Sequence, residues 1–167
     1  MADDTGLARA IYLASPLGFA GSTHSFMADL VTLLRTVTTV INPWDDTRFV
    51  DDFAEIAAID SVAERERRLA AINTELGRAN TQSIDAADAV FAVLDGVDVD
   101  SGTAAEIGYA FARGKRVCGL RTDFRLAGDN HGSVVNLQVQ YFIEASGGAI
   151  VTTADEFLAL ARQFAHP

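Results

Sequence analysis

The chain has 167 residues, 49% of them hydrophobic, which excludes an intrinsically disordered protein and is enough for one domain, residues 1–167, with a substantial core. Its net charge of −10 excludes the basic footprint that a nucleic-acid backbone demands. No apolar run reaches bilayer length, and the acidic Met1–Gly6 segment lacks a signal-peptide pattern, so the expectation is a cytoplasmic protein with no membrane partner.

Arg9 to Ser15 reads as a first strand, broken by Pro16 and Gly18. Thr23 to Thr36 reads as a helix, with Phe26, Leu30, Leu33 and Leu34 on one face. Thr38 to Asn42 is a second strand, closed by Pro43. Trp44 to Ile59 is a loop passing into a short helix, in which Trp44, Phe49 and Phe53 alternate with acids. A long helix follows from about Ser61 to Ser83, with an apolar stripe of Val62, Leu69, Ile72, Leu76 and Ala79. Asn80 lies four residues beyond Leu76 and shares that face.

Ala87 to Leu94 is a third strand and Thr103 to Arg113 a helix, with Gly114 in the position that commonly ends one. Arg116 to Arg121 is a fourth strand. After a polar loop, Thr122 to Gly132, the stretch Ser133 to Ala145 reads as helix, starting near Val134-Val135-Asn136 and stopped by Gly147-Gly148. Ala149 to Thr152 is a short fifth strand, and Asp155 to Phe164 the closing helix, with Thr153 as its N-cap. Strands alternating with helices imply an α/β fold, a doubly wound five-stranded parallel sheet of flavodoxin/Rossmann-like type with helices on both faces.

Cys118, the single cysteine, sits in an apolar run and reads as a small core residue; no intrachain disulfide exists. His24, His131 and His166 show no metal-ligand spacing, so no metal is expected. His24 reads as a loop histidine after the first strand. There is neither a Gly-rich dinucleotide fingerprint after that strand nor a phosphate-binding loop, and no cofactor is expected.

The segment from Leu94 to Ala110 carries the most information about function. Asp100 and Glu106 sit where a buried strand hands over to a helix, the edge at which open α/β sheets bind ligands. Small residues between them (Gly102, Ala104 and Ala105) allow a ligand to approach the backbone, as at a sugar or base site. The helix dipole favours an ionised carboxylate in a first turn, as a nucleophile requires. Tyr12, near the end of the first strand, is in range to hydrogen-bond Glu106. A different reading fits the same residues: Thr103-Ala104-Ala105-Glu106 matches a capping box, and Asp100 matches a turn residue.

These pieces, together, resemble the nucleoside 2-deoxyribosyltransferase family. The matching residues are Ile11-Tyr12-Leu13-Ala14-Ser15-Pro16, Asn80, Asp88-Ala89-Val90, the Asp100-to-Glu106 block with Ile107-Gly108-Tyr109-Ala110 behind it, and Asn136-Leu137. The resemblance implies transfer of 2-deoxyribose between nucleobases by a retaining double displacement. Glu106 would attack C1′ of a 2′-deoxynucleoside and form a covalent deoxyribosyl ester, which a second base then attacks. It implies that Tyr12 orients the nucleophile, that Asp100 holds a sugar hydroxyl, and that Ser15 and Gly102 belong to the substrate site. Asn136 would complete the site of a neighbouring subunit, making the protein a homo-oligomer; otherwise it is a cap or turn residue.

Many family members carry an aspartate at the position of Asn80, where it protonates or holds the leaving base. An asparagine has no carboxyl proton to give. Another acid then serves (Asp45 or Asp46), or water protonates the base, or the base leaves as a stabilised anion. Pro43-Trp44-Asp45 is expected to flank the base, Trp44 stacking and Asp45 reading the ring edge, or else to be an ordinary hydrophobic anchor. Two rival functions remain: N-glycoside hydrolysis of a (deoxy)nucleoside or deoxynucleoside 5′-monophosphate, and a catalytically silent nucleotide-binding sensor.

Overall fold

The computed structural model describes residues 9–166, so the reading of the Met1–Gly6 segment lies outside the described residues. Five parallel strands form one sheet in the order β2-β1-β3-β4-β5: β1 (Ala10–Ala14), β2 (Thr39–Ile41), β3 (Ala89–Val93), β4 (Arg116–Leu120) and β5 (Ile150–Val151). This is the doubly wound α/β arrangement anticipated from the alternation of elements. Six α-helices accompany the strands among the described residues: α1 (His24–Leu34), α2 (Val50–Ala57), α3 (Val62–Ala86), α4 (Ser101–Ala112), α5 (Leu137–Ala145) and α6 (Ala154–Ala165).

The strand period of two sorts side chains to opposite faces. Ile11 and Leu13 of β1, Phe91 and Val93 of β3, and Cys118 and Leu120 of β4 join Leu30 and Leu34 of α1 and Phe157 and Ala161 of α6 in one apolar layer. Tyr12 and Ala14, Val90 and Ala92, and Val117 join Ile84 of α3, Ile107 and Ala110 of α4, and Val139 and Ile143 of α5 in the other. β3 is buried at every position, as a central strand covered on both faces must be. Cys118 is 2% exposed within the first layer, and burial pushes its thiol pKa up. It is a packing residue.

Two helix starts differ from the sequence reading. α4 begins at Ser101, not Thr103, because the Asp100 side chain accepts from the Thr103 N–H at 3.0 Å and takes the N-cap position. The capping box read at Thr103–Glu106 is therefore not formed. The chain does form one at Thr153–Glu156, where Thr153 caps α6 as expected. α5 begins at Leu137 rather than three residues earlier, because Asn136 caps it, accepting from Gln138 N–H at 3.0 Å and Val139 N–H at 3.4 Å. Gly114 follows α4 with φ of 72°, the left-handed conformation that favours glycine at a helix end.

The reversal of strand order falls between β1 and β3, the topological switch point at which open α/β sheets form a crevice beyond the carboxyl ends of their strands. Ser15, Pro43 and Asp100, which follow β1, β2 and β3, all reach that crevice.

Candidate active site

The crevice is a cleft of about 500 Å³, within the roughly 300–1,000 Å³ typical of small-molecule sites. Its floor is Glu106, on the second turn of α4. Tyr12 reaches it from β1 beneath: the ring is fully buried, and its hydroxyl donates to Glu106 Oε1 at 2.7 Å. Asn80 of α3 adds a longer contact, Nδ2 to the same Oε1 at 3.5 Å. Oε1 is engaged, whereas Oε2 has no hydrogen-bond partner among the described residues, and Glu106 lines the cleft.

The electrostatics of Glu106 differ from the sequence expectation. As the sixth residue of α4 it lies beyond the first turn, where the helix dipole falls off. Burial pushes its carboxyl pKa up; the Tyr12 hydroxyl bond opposes that shift, and the charge of Asp100 adds to it. What favours the ionised form against that upward shift is thus a buried phenol rather than the helix terminus. Burial first, and then the neighbouring carboxylate, push the Tyr12 phenol far above its ordinary value, so it remains a donor.

Asp100 lines the cleft beside Glu106. Both Thr103 donors, the amide at 3.0 Å and the hydroxyl at 3.3 Å, fall on its Oδ2, which leaves Oδ1 for a ligand. Gly102 sits over this carboxylate: a Cβ there would come within 3.1 Å of Asp100 Oδ2. The small residue keeps the opening to Asp100 clear.

The opposite wall comes from the loops after β1 and β2. Trp44 donates its indole N–H to the Ser15 carbonyl at 2.9 Å and packs edge-on against Phe19, centroids 4.7 Å apart. The indole lies so close to Gly18 that a Cβ there would meet it at 2.0 Å, which requires glycine at that position. His24 braces the same loop, its Nε2 3.0 Å from the Gly18 carbonyl. Ser15 is buried, its Oγ accepting from Leu17 N–H at 3.1 Å. Phe19 and Phe53 add apolar surface at the mouth, being 76% and 40% exposed.

Of the residues read as site candidates, Glu106, Asp100, Asn80, Trp44, Gly102 and Ser15 line the cleft, and Tyr12 supports it from below. Asp45 does not reach it. Pro43–Asp45 is a single 3₁₀ turn, so successive side chains diverge, and Asp45 turns back to Arg35 at 2.6 Å and Asn42 at 2.9 Å. The next residue, Asp46, lines the cleft instead. Both Asp46 oxygens accept from the Arg48 guanidinium, at 2.6–3.0 Å, and those bonds hold its carboxyl below the usual range. Asn136 lies outside the cleft lining of its own chain, capping α5.

Sequence reasoning missed Phe19, Phe53, Asn73, Leu76 and Thr103 as cleft residues. Asn73 was detectable: it stands seven residues before Asn80 on the same face of α3, with Leu76 between them. Phe19 carried no periodic signal.

The sequence profile of a family described as nucleoside 2-deoxyribosyltransferase matches residues 11–138, a span that includes every candidate from Tyr12 to Asn136. A search of curated proteins gives no match. Among solved structures, a conserved protein from Enterococcus faecalis V583 is 26% identical with a TM-score of 0.65, the match covering 95% of this chain and 99% of that one. A 2-deoxyribosyltransferase from Bacillus psychrosaccharolyticus is 22% identical with a TM-score of 0.60, covering 88% of each chain. A CMP N-glycosidase from Clostridium botulinum is 18% identical with a TM-score of 0.52, covering 90% of this chain and 96% of that one. At these identities the last two are likenesses of fold.

Proposed function

The chain belongs to the nucleoside 2-deoxyribosyltransferase family, and we propose that it transfers 2-deoxyribose from one nucleobase to another through a covalent ester on Glu106. The observation that carries this reading is the 2.7 Å bond from the buried Tyr12 hydroxyl to Glu106 Oε1 at the floor of a ligand-sized cleft. That bond anchors one carboxylate oxygen and aims the other, which is what a nucleophile needs and a capping glutamate does not.

In the first half-reaction Glu106 Oε2 attacks C1′ and the glycosidic bond to the base breaks. In the second, an incoming base attacks the ester from the vacated face, and Glu106 leaves as carboxylate. Two inversions give net retention. Asp100 Oδ1 accepts from a sugar hydroxyl, while Phe19, Trp44 and Phe53 provide apolar surface against which the base packs. Among the described residues, no arginine or lysine lines the cleft, which favours free nucleosides over 5′-monophosphates, whose phosphate recognition commonly uses such side chains.

Asn136 is assigned to the sugar site of a second copy of this chain, so the working form is a homo-oligomer. Mass in solution tests this: a strictly monomeric and fully active protein overturns the role given to Asn136. The reaction is tested by incubating the protein with 2′-deoxyinosine and excess adenine and following products by chromatography. Formation of 2′-deoxyadenosine is expected. Free deoxyribose and hypoxanthine alone would make it a hydrolase, and no turnover with a panel of bases and 5′-monophosphates would leave a binding module.

A further inference from the structure

Three carboxylates line the cleft: Asp46, Asp100 and Glu106. In the reading above, on which this inference rests, Glu106 is the nucleophile. Asp100 acts as acceptor to the Thr103 amide and hydroxyl. Asp46 is gripped on both oxygens by the Arg48 guanidinium and also accepts the Arg48 amide. Asp45 faces Arg35 and Asn42 instead of the cleft. The Tyr12 hydroxyl is directed at Glu106. The other polar side chains of the lining are hydroxyls and carboxamides (Ser15, Asn73, Asn80 and Thr103), which donate hydrogen bonds without releasing a proton. Within the cleft lining, Glu106 is taken by the reacting carbon, Asp100 by Thr103 on Oδ2 and the sugar on Oδ1, and Asp46 by Arg48, and the remaining polar side chains are not acids. Asn80 is the neutral donor beside the reacting centre, its Nδ2 3.5 Å from Glu106 Oε1.

We propose that the base departs as its anion, stabilised by the amide donors of Asn80 and Asn73, and that the protein therefore selects nucleosides by the acidity of the base N–H. As the Glu106 Oε2–C1′ bond forms, the C1′–N bond breaks and its electron pair stays on the base nitrogen. The anion takes a proton from water. The hydroxide so formed is neutralised by the proton that the second base sheds when its nitrogen attacks C1′. The net change is donor nucleoside plus free base to new nucleoside plus free base, with protons balanced. The preferred substrates are nucleosides of the more acidic bases, and adenine-like bases are the poorest leaving groups.

The test is single-turnover base release, with protein in excess, over two sets graded in base acidity: 5-fluoro-2′-deoxyuridine, 2′-deoxyuridine and thymidine; and the 2′-deoxyribosides of 6-chloropurine, hypoxanthine and adenine. With wild-type protein the rate is expected to fall at least about tenfold from the most to the least acidic base of a set, since no acid offsets the leaving-group charge. The solvent deuterium isotope effect on this step is expected to stay near one. Asn80→Asp places a carboxyl group beside the leaving base and is expected to compress the spread to under about threefold and raise the isotope effect. The wild-type slope and isotope effect decide the proposal even where Asn80→Asp does not fold. Turnover at a rate independent of base acidity, or a wild-type isotope effect of about two, signals a proton in flight and overturns the proposal while leaving the transferase reading intact. No base release from either set overturns both.

Discussion

Two neighbouring seams at the carboxyl edge of the sheet use charge in opposite ways. Between the ends of β3 and β4, Arg121 is 2% exposed, and its guanidinium donates to the backbone carbonyls of Leu94, Gly96 and Arg125. Asp95, beside it, accepts from the amides of Thr122 and Asp123 and from the Thr122 hydroxyl. Between the ends of β1 and β3, the partners of Glu106 are side chains, Tyr12 and Asn80, and both bind one oxygen. The first seam consumes its charges in fixing loop backbone. The second leaves one carboxylate oxygen of a cleft-lining residue without a partner among the described residues. What separates structure from chemistry here is the identity of the hydrogen-bond partners, mainly backbone in the first seam and side chains in the second.

The largest expected effect comes from breaking the second seam. Glu106→Gln keeps the shape and the Tyr12 bond but removes the proposed nucleophile, and transfer should fall by roughly 10³ or more. The same variant should be more heat-stable at neutral pH. The folded carboxyl has a raised pKa, so the wild type is at its full stability below the pKa of an unfolded glutamate and loses stability as pH rises through the folded value. Glutamine does not titrate, so the gain in melting temperature should appear at neutral pH and vanish in acid. An unchanged melting temperature at neutral pH would contradict the burial of this charge.

Breaking the first seam should do the reverse. Arg121→Met leaves buried carbonyls without their donor and should cost about 3 kcal/mol in urea unfolding, while the fraction still folded should keep nearly the wild-type turnover in the proposed transfer reaction. A selective loss of turnover with unchanged stability would erase the distinction between the seams.

Tyr12→Phe should lower kcat/KM about 10- to 100-fold, the worth of a hydrogen bond to a charged group. The Tyr12 bond opposes the upward shift of Glu106, so without it the acid limb of the pH–rate profile should move to higher pH. Asp100→Asn is the smallest perturbation. Asparagine also caps helices, so stability should change by under about 0.5 kcal/mol. Removing the Asp100 charge relieves its repulsion of Glu106, and the acid limb should shift to lower pH, opposite to Tyr12→Phe. Shifts of the same sign in both variants would refute this division of roles.

The α/β class was legible because β3 is apolar throughout and the helices carry one-sided stripes, signals that depend only on chain-local periodicity. The ends of helices were less so. Thr103 and Asp100 are both good caps, and in the folded chain Asp100 takes the cap, which places Glu106 in the second turn. Asp45 and Asp46 are equivalent in sequence, and the 3₁₀ turn that sends one to Arg35 and the other to the cleft is a tertiary outcome.

The sequence by itself determined the layered fold and the family, because both are written in periodicities and in short runs whose spacing survives without knowledge of contacts. It also marked Tyr12, Asn80, Asp100 and Glu106 as members of one set. The tertiary structure alone decided how they combine: 94 residues separate Tyr12 from Glu106, and sheet order brings them to 2.7 Å. The same packing assigned Arg121 to backbone and Asp46 to Arg48. A hydrogen-bond partner distant in sequence is a property of the folded chain, and it is the partner that sets whether a charged side chain serves the scaffold or the site.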